Sequence, residues 1–172
     1  MKTPAKSTQD FLFDIQDKLS SYCLKFKPTG VPMNHSTPPD LTQLLIELYD
    51  KISSWEHTVV KDSGLSPAQM HAVEIVGHHQ QLRMKEMAEL MGITTGTLTV
   101  MVDRLETLGL VHRQANPNDR RSYVIVLTAQ GQHHFNAHHK LHDMLTEELT
   151  ASFDAQEKVV LQQLLFKLVR HF

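Results

Sequence analysis

Gly92-Ile93-Thr94-Thr95-Gly96-Thr97-Leu98-Thr99-Val100-Met101-Val102-Asp103-Arg104-Leu105-Glu106-Thr107-Leu108-Gly109 is the stretch on which the fold turns. Gly92-Ile93 reads as a turn and Thr94 as a helix N-cap. Leu98, Met101, Val102, Leu105 and Leu108 then recur at helical spacing until Gly109 ends the run. Two apolar strands follow, Leu110 to Arg113 and Tyr123 to Leu127, joined by the polar, basic loop Asn116-Pro117-Asn118-Asp119-Arg120-Arg121. Upstream, Glu86 to Met91 supplies a first helix, with Ala88 small enough for a close crossing. Gly92 allows the left-handed turn between the helices, and Leu98 can plug the core beneath the second. A helix pair followed by an arginine-tipped hairpin predicts a winged helix-turn-helix and, from that, a protein that reads duplex DNA.

Flanking helices complete a mainly α architecture. Phe11, Ile15, Leu19, Tyr22 and Phe26 predict an N-terminal amphipathic helix, after which Pro28, Gly30, Pro32, Pro38 and Pro39 form a linker that no helix continues through. Leu41, Leu44, Leu45, Leu48, Ile52 and Trp55 mark the next helix. Ser66-Pro67-Ala68-Gln69 opens another, running to about His79, with Ser as cap, Pro at the first position and Gln as capping-box partner. Thr128 caps a long helix toward Leu149, and Asp154 starts a last one through Val169. The expected organisation is residues 1–39 as helix and linker and residues 40–172 as the main domain. Within it, the winged helix spans about 66–128, and helices at about 40–62 and 128–172 form a dimerisation layer.

Composition limits the alternatives. A chain of 172 residues that is 41% hydrophobic suits one globular domain. No apolar run is long enough to span a bilayer, and the first residues lack a secretory pattern, so a cytoplasmic protein is expected. The lone Cys23 cannot form an internal disulfide. No zinc-protease, phosphate-loop or nucleophile motif is present, and an enzyme is not expected. The net charge is −2, but His78 to Thr128 carries six Lys/Arg against five Asp/Glu, leaving −3 for the remainder. DNA affinity must then come from a few placed arginines rather than from bulk charge.

Those positions can be named. Thr95, Gly96, Thr97 and Thr99 face the major groove on this reading, where threonine can bond base edges, touch a thymine methyl or hold phosphate. Arg104 lies further along the same helix. In the wing, Asp119 orients Arg121 for the minor groove, whose negative potential attracts a guanidinium, while Arg120 touches phosphate. Histidine is the other unusual feature: of twelve, His133, His134, His138, His139 and His142 share the long helix. His134, His138 and His142 follow i, i+4, i+8, so neighbouring pairs could chelate a metal such as Zn²⁺. The same spacing equally describes a polar, His-rich face, because one helix supplies only two of the three or four ligands required.

Asp103-Arg104-Leu105-Glu106, Gly109-Leu110-Val111, Arg113, Asp119-Arg120-Arg121 and Leu127-Thr128-Ala129-Gln130-Gly131 together resemble the signature of MarR-type transcriptional regulators, over roughly Leu41 to the C-terminus. The resemblance implies a homodimer with interlocked terminal helices, one winged domain per subunit and a pseudo-palindromic operator, most often under repression. The family often places Arg or Lys where Val100 stands, so one phosphate contact is missing. Zinc-responsive members look similar in a further respect, having a histidine early in the helix before the DNA motif and an i, i+4 pair on the long helix. By that likeness His71, His138 and His142 are ligands, with Glu56 as the fourth if a short gap is allowed and His57 as its substitute. Met70 and Ala137 stand where a second metal site of those relatives has glutamates, so no second site is expected.

Three other readings compete with a zinc effector. An organic, aromatic ligand could fill a cleft lined by Trp55 and nearby Met residues, although core packing explains those side chains equally well. A redox sensor would rest on Cys23, which lies upstream of the proline linker. From another class, the N-terminal helix could make the chain a protein-interaction adaptor or antirepressor. Operator sequence, regulated genes and the sign of regulation are not encoded in any residue pattern.

Overall fold

Asp40 caps the first helix of the computed structural model, which describes residues 39–116 and 119–171. Its carboxylate accepts the Gln43 amide at 2.9 Å and starts α1 (Leu41–Val60). After one 3₁₀ turn at Lys61–Ser63, the Ser66 hydroxyl accepts the Gln69 amide and the Gln69 side chain accepts the Ser66 amide, the capping box that opens α2 (Pro67–His79). Then come β1 (Gln81–Arg83), α3 (Met84–Met91), α4 (Thr95–Thr107), β2 (Val111–Asn116), β3 (Asp119–Leu127), α5 (Ala129–Leu149) and α6 (Ala155–Val169). The architecture is mainly helical, with a small antiparallel sheet in the order β1-β3-β2.

Two compact units meet in sequence at Phe135 and Asn136. The first holds the winged helix. Its core draws Trp55 and Val60 from α1, Met70, Val73 and Val76 from α2, Met87 from α3, Leu98, Val102 and Leu105 from α4, and Val111, Val124 and Ile125 from the sheet. Ile125 is central to the sheet, pairing with Leu82 of β1 on one side and Arg113 of β2 on the other. In the second unit, Ala137, His138 and Leu141 of α5 are buried, whereas α6 buries no side chain. Asp154 and Glu157 form the capping box that starts α6. Among the described residues no helix is long and apolar enough to cross a membrane.

The structure departs from the sequence expectations at three places. Helix α3 begins at Met84 rather than Glu86, because the Glu86 carboxylate reaches back to accept the Arg83 amide at 2.9 Å and so lies one turn inside the helix. Strand β1 has no sequence signal beyond Leu82, the one buried residue of its three. The hairpin is also longer than expected: Asn116 pairs with Asp119, so Asp119, Arg120 and Arg121 continue β3 instead of forming a loop. A register shift at Ala115/Asn116 and a bond from the buried Asn116 Nδ2 to Ser122 Oγ, 3.1 Å, mark the far end of the hairpin. The expected N-terminal helix, the proline linker through Pro38 and Cys23 lie outside the described residues.

The end of the hairpin is locked to the start of α5. Thr128 donates its hydroxyl to the Gly109 carbonyl at 2.6 Å and its amide to Leu110 at 3.0 Å, while its Oγ1 accepts the Gly131 amide at 3.0 Å. Gly131 packs so tightly that an added Cβ would lie 1.9 Å from the Leu110 carbonyl oxygen. Gly96 is the opposite case, since a Cβ there would meet nothing closer than Thr94 Oγ1 at 3.8 Å. Gly131→Ala is therefore expected to lose about 1–3 kcal/mol of stability, and Gly96→Ala to gain up to about 1 kcal/mol. Urea unfolding monitored by circular dichroism measures both.

Candidate nucleic-acid interface

The geometry of α4 starts at its cap. Gly92 takes φ 63°, the left-handed conformation that ends α3, and the Ile93 amide bonds the Ala88 carbonyl at 3.1 Å. Thr94 then accepts the Thr97 amide at 3.1 Å. From there α4 divides into two faces. Leu98, Val102 and Leu105 are fully buried, while Thr95, Gly96, Thr97, Thr99, Val100, Asp103 and Arg104 are exposed. Thr95, Gly96, Thr97 and Thr99, expected to face the groove, and Arg104 further along the helix are thus all open to solvent. Asp119, Arg120 and Arg121 have strand backbone at the tip of β3, and their side chains lie outside the described residues.

A salt-bridged bracket joins this helix to the wing. The Arg113 guanidinium in β2 donates to Glu106 and, at 2.7 Å, to Asp103; the Arg113 amide donates to Glu106 Oε1 at 2.8 Å. Glu106 therefore accepts from both the backbone and the side chain of one strand residue. Sequence reading placed Asp103, Glu106 and Arg113 in a signature but gave them no structural role. The available signal was the i, i+3 spacing of two acids at the end of a helix that is followed by a strand arginine.

The candidate metal ligands stand as follows. On α5, in the second unit, His138 is 2% exposed and its Nε2 lies 3.2 Å from His142 Nε2, with the two rings perpendicular. On α2, in the first unit, His71 holds Nδ1 4.0 Å from a Glu74 carboxylate oxygen. Bonding to Glu74 raises the His71 pKa above 6.5 despite partial burial, and the charge of Glu56 adds to the rise. The resulting stabilisation is complete below pH 6.5 and disappears as pH rises through the folded-state value. His134 shifts the other way, lowered by burial and by neighbouring His133, so its contribution is present above 6.5 and lost on acidification. His57 instead bonds the Ser53 carbonyl of its own helix at 2.8 Å. Trp55 is a core residue.

Residues 65–123 match the MarR family. The matched segment runs from Leu65 to Tyr123 and takes in α2, β1, α3, α4, β2 and the first part of β3. Members of the MarR family are DNA-binding transcriptional regulators rather than enzymes. The chain is 32% identical over 99 residues to the HTH-type transcriptional regulator YcgE of Bacillus subtilis, a match covering 55% of this chain and 64% of that protein. It is 33% identical over 92 residues to the HTH-type transcriptional repressor MdtR of the same organism, covering 54% of this chain and 59% of that protein. These matches thus span about three fifths of the relatives' lengths. The fold is similar to that of the reduced form of MarR from Escherichia coli, with a TM-score of 0.63 and 27% identity over 77% of this chain and 98% of that one. A mutant of that MarR in complex with operator DNA gives a TM-score of 0.60 at 27% identity, over 74% of this chain and 92% of that one.

The bracket makes a measurable demand on the β2–β3 hairpin. Glu106→Ala removes the acceptor of the Arg113 amide and one of the two carboxylates on its guanidinium, and is expected to cost about 1–2 kcal/mol. Asp103→Ala, at a carboxylate 57% exposed, is expected to cost well under 1 kcal/mol. Chemical denaturation of the two variants side by side checks the order.

Proposed function

We propose that this protein is a sequence-specific, DNA-binding transcriptional regulator of the repressor type that acts as a homodimer on a pseudo-palindromic operator. The observation that carries this reading is the division of α4. Its buried face is anchored by three fully covered apolar side chains, its opposite face is open, and a bracketed hairpin stands beside it. MarR of Escherichia coli, which shares this fold, has been crystallised with operator DNA. Two apolar surfaces support the dimer: Leu41, Leu44, Leu45, Ile46, Leu48 and Tyr49 on α1, and Val159, Val160, Leu164, Leu165, Phe166 and Val169 on α6, all exposed in the single chain. Apolar faces of this extent are characteristic of surfaces that a partner covers, and a second copy meets the symmetry of a palindrome.

Selection from a random-sequence duplex library is expected to enrich one palindromic motif, bound by a dimer that persists in light scattering at low micromolar concentration. Arg121→Ala is expected to weaken the enriched duplex by about 1–3 kcal/mol and random duplex by less. Equal losses on both would make Arg121 a phosphate contact, and a stable monomer or the absence of salt-dependent duplex binding would favour the adaptor reading instead.

One observation favours zinc among the possible effectors. Ligand nitrogens about 2.0–2.1 Å from a tetrahedral Zn²⁺ lie about 3.3 Å apart, and the Nε2 atoms of His138 and His142 lie 3.2 Å apart. Both residues therefore fit two corners of a zinc site, and a metal that binds the DNA-competent state more tightly would shift the protein toward it. Calorimetric titration of chelator-stripped protein with Zn²⁺ is expected to show affinity that falls on acidification through the ordinary histidine range, since ligating imidazoles must be neutral. His138→Ala and His142→Ala are each expected to weaken binding, and titration of His71→Ala and Glu56→Gln tests the other two ligands. If all four variants bind zinc unchanged, these residues are not the site and the organic-ligand reading leads.

A further inference from the structure

Val100 is 71% exposed in the middle of α4, with no core to enter. A β-branched residue in that position gives up helix propensity without any packing return within its own chain. Its neighbours along the same side are Gly96, one turn before it, and Arg104, one turn after. Gly96 has open space where a side chain would go and no left-handed φ, so nothing in the protein itself calls for a glycine there. The hydroxyls nearby are already engaged with their own helix: Thr99 Oγ1 donates to the Thr95 carbonyl at 2.8 Å, and Thr97 Oγ1 lies 3.0 Å from Thr94 Oγ1. Thr99 therefore offers a partner an acceptor lone pair and a methyl group in place of a hydrogen-bond donor. Arg104 is the one cation of the helix.

We infer that Val100 is a specificity-determining residue that reads the C5-methyl group of a thymine in the major groove. The inference rests on the DNA-binding reading above. Thymine alone among the four bases presents a methyl group in that groove. An exposed valine beside a glycine, where backbone and base edge can approach closely, matches that apolar feature and no hydrogen-bonding edge. Guanine recognition, by contrast, uses a bidentate Arg or Lys, and residues 95 to 103 contain neither. The operator is thus expected to carry a thymine at the same position of each half-site.

The test uses the duplex enriched by the full-length protein, with each thymine replaced in turn by deoxyuridine, which removes only the methyl group. Wild type is expected to lose about fourfold in affinity at one symmetric pair of positions, the value of one methyl group taken out of water. Val100→Ala, whose fold and assembly are checked by circular dichroism and light scattering, is expected to bind thymine and uracil duplexes equally there. Equal wild-type affinity for every uracil-substituted duplex overturns the assignment and leaves the DNA-binding reading intact. Undiminished thymine preference in Val100→Ala overturns it as well. Enrichment of no duplex at all overturns both.

Discussion

The charged bracket from Arg113 to Asp103 and Glu106 is the interaction on which the candidate interface depends. A short helix buried on one side by Leu98, Val102 and Leu105 is held radially by apolar packing, but packing of that kind resists sliding and rolling only weakly. Directional bonds from the end of α4 to β2 remove those motions, because a planar guanidinium satisfies two carboxylates in one geometry. The wing is then positioned by the helix it accompanies. Since Glu106 also takes the Arg113 amide, the bracket doubles as a backbone anchor for the outer strand β2 at its turn away from α4.

The second constraint is steric. Thr128 and Gly131 press the first turn of α5 onto the Gly109–Leu110 backbone, so the exit of the hairpin and the start of the long helix are set by one contact region. It involves backbone and a missing side chain rather than a large apolar surface. Such a junction tolerates little substitution and needs few residues, Thr128 and Gly131 first among them.

Local chemistry was legible in the sequence, and chemistry joining distant residues was not. Ser66 with Gln69, Thr94, Thr128 and Asp154 are caps whose partners sit three residues away, and each is found where the pattern put it. The buried face of α4 followed from its period. The Arg113 bracket spans seven and ten residues across a turn, and no periodicity encodes such a pairing. Strand β1 was invisible because three residues with one buried side chain hold less information than the edge pairing with β3 that creates them. In the same way, the Asn116–Asp119 pair beyond the register shift extended the strand over a composition that reads as loop. For the histidines, spacing allowed His134 with His138 or His138 with His142 to meet on α5, and the Nε2 atoms of His138 and His142 lie 3.2 Å apart. Spacing along one helix carries no information on what else approaches them.

The paucity of charge on the open face of α4 bears on how such a protein would search a chromosome. Non-specific association with duplex comes mainly from cations that displace condensed counterions. On the DNA-binding reading proposed above, with Arg104 as the only cation of α4 and a chain that is net acidic, such a regulator would be held weakly by arbitrary sequence. Most copies would then diffuse through solvent rather than along DNA. Occupancy would depend on fit at the operator and on the dwell time there, with little retention on neighbouring sequence between visits.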